Sequence, residues 1–126
     1  MLARADALVG EARRHMQSFA LHLYIGAVFE AVSEANRYFA TAEPWRLAKT
    51  DPARMGLVLH VTIETLRIAA ILLQPVMPGA MGKLLDLLGV AADARRFDQI
   101  GPGGRRLAPG AALPAPAVVF PRYAPE

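Results

Sequence analysis

LHLYIGAVFEAVSEANRYF, residues 21–39, is the stretch whose reading decides the fold. Leu21, Tyr24, Ile25, Val28, Ala31, Val32, Ala35, Tyr38 and Phe39 return at steps of three and four, the period of a helix with one buried face. Ser18 is a candidate N-cap, so the pattern predicts a helix from about Ser18 to Phe39. A second stripe lies one residue over: His22, Gly26, Phe29, Ser33 and Asn36. Its small residues let another backbone come close, which predicts that this helix has two neighbours.

Upstream, Leu2, Ala5, Leu8, Val9, Ala12 and Met16 form a shorter amphipathic helix with a charged opposite face. Downstream, prolines set the boundaries. Pro44 disfavours helical geometry at Glu43 and suits a first helical position, so the long helix should stop near Ala40 and a short one start at Pro44. Asp51-Pro52 repeats this arrangement and opens a helix that runs to about Gln74, before Pro75. Apolar residues surround most of that helix, which makes it the expected centre of a bundle. Its one polar strip, His60, Glu64 and Arg67, has the spacing of a surface ion-pair ladder. A further helix is predicted from Gly79 to Leu88 with Gly89 as its left-handed cap, then one turn from Asp93 through Phe97.

From Gly101 the composition changes, with six of the ten prolines and four of the ten glycines in residues 101–126. The expectation is an all-α antiparallel helical bundle over residues 1–100, followed by an extended, irregular Pro/Gly-rich tail over 101–126 whose one apolar anchor is Val118, Val119 and Phe120.

The chain has 126 residues, 54% of them hydrophobic and 20% charged, enough for one core and too apolar for disorder. Cysteine is absent, which excludes a disulfide framework and thiolate chemistry and fits a reducing cytoplasm. The longest unbroken apolar run, Ile68 to Leu73, is far short of the ~18 residues of a spanning helix, so no membrane partner is expected. The first fifteen residues carry Asp6 and Glu11 and do not read as a signal peptide.

Little here can do chemistry. His15, His22 and His60 lack partners at metal-site spacing; the nearest pair, His60 and Glu64, needs at least one more ligand. Gly101-Pro-Gly-Gly104 follows no strand and opens no helix, so it reads as a loop and not a phosphate cradle. Ser18 and Ser33, the only serines, lie in no nucleophile pattern. No catalytic residue, cofactor or metal is assigned to this chain. What stands out is Trp45, the only tryptophan, on a helix entry among Arg37, Arg46, Lys49 and Arg54; against Glu43 and Asp51 this stretch carries +2. An indole beside arginines can stack a base while the cations neutralise phosphate. It can equally close the end of a bundle. Five arginines between Arg95 and Arg122 against Asp98 give the tail a net +4, which suits either a solvated tail or contact with a nucleic-acid backbone.

The stretch from Asn36 through Tyr38 and Pro44-Trp45 to Leu47-Ala-Lys49 resembles the C-terminal α-helical anticodon-binding domain of methionyl-tRNA synthetase. Asp51-Pro-Ala-Arg54, Ile71-Leu-Leu-Gln-Pro75-Val-Met-Pro78, Leu84 to Gly89 and Val118-Val-Phe-Pro-Arg-Tyr123 look like that family too, in order, over most of the chain. The resemblance implies that Trp45 packs against an anticodon base, that Pro44 holds its helix entry, and that Asn36 and Tyr38 are structural. Arg37, Arg46 and Lys49 are then candidate phosphate contacts. It also implies that ATP, methionine and zinc are bound by parts of the family absent here, since neither the HIGH nor the KMSKS signature occurs. The chain then reads as a C-terminal piece, inactive alone, whose partners are the anticodon arm of methionine tRNA and a catalytic domain, and not DNA. The alternative is a helical interaction or structural domain without RNA affinity.

Overall fold

Proline occupies the first turn of three of the five helices, and each begins where its proline removes an N–H that no helical carbonyl would have served. The structure, a computed structural model, describes residues 1–125. Its helices are α1 (Leu2–Gln17), α2 (Leu21–Ala42), α3 (Pro44–Thr50), α4 (Pro52–Leu73) and α5 (Pro78–Leu87), followed by two 3₁₀ turns at Ala92–Ala94 and Phe97–Gln99. There is no strand among the described residues, and the bundle is all-α as expected.

The junction between α1 and α2 differs from expectation. Ser18 closes α1 instead of opening α2, its hydroxyl donating to the Arg14 and His15 carbonyls. The Ala20 N–H reaches back to His15 O at 2.9 Å and the Phe19 N–H to Met16 O at 3.0 Å, the paired bonds of a Schellman closure. That closure needs a left-handed residue at its turn, and Phe19 supplies it with φ 55°. With the Ser18 hydroxyl turned back on α1, α2 starts three residues later, at Leu21. At its other end Glu43 (φ 45°) breaks the helix before Pro44, two residues beyond the expected stop. Asp51 caps α4 as expected, its Oδ1 accepting from the Arg54 N–H at 3.0 Å. Gly89, at φ +71°, ends the α5 region.

α1, α2, α4 and α5 share one core, in which Leu8, Val28, Ile68, Ile71, Leu72 and Leu85 are fully buried. α4 lies at its centre. By length and composition α4 could cross a bilayer, with a window of mean hydropathy 1.8, which the count of unbroken apolar residues did not register; here 56% of that window is buried in the bundle. The Tyr24 hydroxyl donates to the Leu72 carbonyl across the core, and burial raises its pKa above the ordinary value. The folded chain therefore holds this proton more tightly than the unfolded one. Its contribution to stability should be level below pH ~10, the usual tyrosine value, and be lost as pH rises through the window above it. Tyr24→Phe should remove that component from the slope of a urea-unfolding series.

The polar strip of α4 is not a surface ladder. Glu64 is 0% and Arg67 1% exposed. The Arg67 Nε lies 2.8 and 3.1 Å from the two Glu64 oxygens, and its Nη1 donates to the Gln99 carbonyl at 3.3 Å. The backbone N–H of Leu107 donates to Glu64 Oε1 at 2.8 Å. Arg106 spans from Glu64 Oε2 (3.7 Å) to Asp6 of α1 (2.6 Å). Two guanidinium groups thus meet two carboxylates, and the cluster is neutral. Gly104 makes the approach possible, because a Cβ there would lie 2.0 Å from the Gln99 carbonyl oxygen. The glycine-rich loop turns the chain back onto α4.

The tail is consequently anchored elsewhere than expected. Ile100 is buried and Leu107 packs on the core, while Val118 and Phe120 stand exposed. Four of the five arginines from Arg95 onward are in ion pairs: Arg95 with Asp86, Arg96 with Asp98, Arg105 with Asp93, and Arg106 with Asp6 and Glu64. Of the cations proposed for a nucleic-acid-binding tail, only Arg122 has no carboxylate within 4.0 Å among the described residues.

Candidate nucleic-acid interface

Trp45 is held by its neighbours in sequence. Pro44 is buried and fixes the entry of α3, so the next side chain is directed away from the core. Trp45 is 57% exposed, and its ring leans on Phe39 of α2 with centroids 6.1 Å apart and planes at 59°. A closed bundle end would bury it. One edge is supported and much of the indole meets solvent.

The four cations around it are not equivalent. Arg46 is paired with Glu43 at 2.8 Å. Arg37, Lys49 and Arg54 are exposed and have no carboxylate within 4.0 Å among the described residues. The last turns of α2 and the first of α4 bring Arg37 and Arg54 to one recess of about 400 Å³, with Tyr38 and Thr41. This recess and Phe39 lie on opposite flanks of α2, so the cations and the indole frame the helix end from two sides.

A groove between α2 and α4 was not read from the sequence. It has a volume of about 530 Å³, begins at Phe39, and is floored by Val32, Leu59, Ile63 and Leu66. Ser33, Asn36 and Thr62 supply its polar groups. Asn36, expected in a structural role, is exposed on this groove. The second stripe of α2 was the available signal: His22, Phe29, Ser33 and Asn36 are all exposed, and the neighbour predicted for them is not within the described residues. The histidines gather no ligand set: His15 lies 3.7 Å from Glu11, and no three metal-ligating side chains cluster among the described residues.

A family model described as the anticodon binding domain of methionyl tRNA ligase matches residues 1–126. The chain belongs to that family. As an anticodon-binding domain of methionyl-tRNA synthetase it is similar to the methionine–tRNA ligase of Rhizobium meliloti, 54% identical over 127 residues, which covers 100% of this chain and 24% of that protein. The methionine–tRNA ligase of Mycobacterium bovis is 47% identical over 129 residues, covering 99% and 24%. Among solved structures, the free-state Mycobacterium tuberculosis methionyl-tRNA synthetase superposes with a TM-score of 0.90 at 47% identity, over 99% of this chain and 25% of that one. The same enzyme in complex with methionyl-adenylate gives 0.89 over 96% and 24%. The chain thus spans about a quarter of the length of these relatives.

Proposed function

We propose that this domain recognises the anticodon arm of methionine tRNA for a catalytic portion that attaches methionine with ATP. The observation that carries the reading is the end of the bundle where α2 stops: an exposed indole backed by Phe39 on one flank, Arg37 and Arg54 on the other, and Lys49 on α3, the three cations exposed and with no carboxylate within 4.0 Å among the described residues. Trp45 offers a face on which an unstacked base can lie, and the buried Pro44 and the Phe39 contact hold that face before RNA arrives. Arg37, Lys49 and Arg54 neutralise phosphates, with Arg46 a shared contributor because of Glu43. Asn36 presents an amide donor and acceptor, the equipment for reading a base edge. ATP, methionine and zinc belong in this reading to the catalytic portion, because these residues build no site for them.

The test is a filter-binding titration with an anticodon stem–loop of methionine tRNA. Three released counterions give a slope of log affinity against log salt of about −2.1 to −2.7, or a roughly 20- to 40-fold loss between 50 and 200 mM. Affinity that stays level across that span would refute the phosphate contacts and favour an interaction domain without RNA affinity.

A further inference from the structure

One stripe of α2 ends in groups that the protein itself leaves unused. Glu34, Arg37, Tyr38 and Thr41 recur at steps of three and four along the last turns of α2, and with Arg54 from the first turn of α4 they line the recess of about 400 Å³. No carboxylate, Glu34 included, lies within 4.0 Å of Arg37 or Arg54 among the described residues; Glu34 instead lies 3.9 Å from the Arg4 Nε. The hydroxyls are free as well. Thr50, Thr62 and Thr65 each donate to the carbonyl four residues back, and Tyr24 donates to the Leu72 carbonyl, whereas Thr41 and Tyr38 make no hydrogen bond to protein among the described residues. Arg37, Thr41 and Arg54 are exposed and Tyr38 is half-buried, so all four can meet a ligand from solvent.

Two guanidinium forks and two unengaged hydroxyls in one recess are the equipment for holding phosphate oxygens. We propose that the recess holds two successive phosphates of the RNA strand, one on each guanidinium, with the Tyr38 and Thr41 hydroxyls donating to their oxygens; this inference rests on the anticodon-binding reading above. The placement follows from what flanks α2. The indole and Phe39 stand on one flank and the recess on the other, across a helix whose diameter with side chains is about 10 Å. A strand that lays a base on Trp45 therefore crosses the end of α2 and leaves its backbone in the recess. Arg46, held by Glu43 at 2.8 Å, draws that backbone toward the indole less strongly than the two free guanidiniums draw it to the recess. Trp45 then selects an unstacked base, while the recess fixes the register of the strand. Tyr38, expected in a structural role, becomes a ligand of the backbone.

The test removes charges from the RNA and hydroxyls from the protein. Single methylphosphonates stepped along the anticodon stem–loop of methionine tRNA should lower affinity for the parent chain by about tenfold or more at two consecutive positions. In Arg37→Ala with Arg54→Ala those two positions should cost nothing further, whereas in Trp45→Ala they should cost what they cost the parent. Thr41→Val with Tyr38→Phe keeps shape and charge, so the salt slope should stay that of the parent while affinity falls about 2- to 10-fold. A field of positive charge without a built site predicts small methylphosphonate losses at every position and parent affinity in the hydroxyl variant. Either result would overturn the proposal. So would displacement of the stem–loop by inorganic phosphate at constant ionic strength, which would assign the recess to a free anion. A stem–loop with a scrambled anticodon that binds as tightly as the cognate one, with the two-position loss intact, would refute the anticodon reading and leave the recess in place, so the two failures are distinguishable.

Discussion

Glu64→Ala should be the most damaging single substitution in the chain, costing about 3 to 5 kcal/mol out of the ~5 to 15 that a domain of this kind possesses. The reason is not the worth of the ion pair but what its loss leaves behind. Arg67, 1% exposed, would keep its charge in the core with only the Gln99 carbonyl as partner, and the Leu107 N–H would lose its acceptor. Replacing both partners with apolar side chains, Glu64→Leu with Arg67→Met, removes the stranded Arg67 charge and should recover part of the loss, the Leu107 N–H and Arg106 still lacking the carboxylate. Urea midpoints of the three proteins read this directly. A Glu64→Ala midpoint equal to that of the parent would mean that the pair is not buried. Limited proteolysis adds a spatial check, since residues 105–107 should become cleavable in Glu64→Ala when their attachment to α4 is lost.

Trp45→Ala should act on RNA and hardly on the fold. Base–aromatic stacking is worth about 1 to 3 kcal/mol, so affinity for the anticodon stem–loop should fall roughly 5- to 150-fold. The side chain is more than half exposed and leans on Phe39, so the ~3 to 5 kcal/mol cost of deleting a buried aromatic does not apply. Measuring melting temperature and RNA affinity on one preparation separates the two effects. A large fall in stability with normal binding by the folded fraction would sink the stacking role. Arg37→Ala with Arg54→Ala provides the complement: it should flatten the salt slope by about two, while Trp45→Ala leaves that slope alone.

The starts of α3, α4 and α5 were legible because proline, preceded at α4 by aspartate, marks them in residue-by-residue chemistry. Asp51-Pro52, Pro44 and Gly89 each act within one turn of where they stand, so local reading sufficed. The candidate interface was legible for the same reason, Pro44 and Trp45 being neighbours. Ser18 misled because its hydroxyl can serve the helix before it or the one after it, and only the left-handed Phe19 decides between them. Glu64 and Arg67 misled for a different cause. Their spacing is that of an exposed ladder, and the groups that bury them come from Gln99, Arg106 and Leu107, in or beside a segment whose composition reads as tail. The groove on α2 and α4 could not be read from either helix alone, since it exists only where the two pack.

The cluster around Glu64 also sets an order of events in time. Arg106 and Asp6 are bonded across 100 positions of the chain, and Leu107 and Glu64 across 43. At a synthesis rate of ~5 to 20 residues per second, α1 leaves the ribosome about 5 to 20 s before the arginine that pairs with its aspartate. During that interval α1, α2 and α4 can associate through their apolar faces, yet Glu64 and Arg67 have no means of being sealed from water. Closure over the Glu64–Arg67 pair thus waits for residues 99–107 to be made, and so comes after the pairing of α1, α2 and α4.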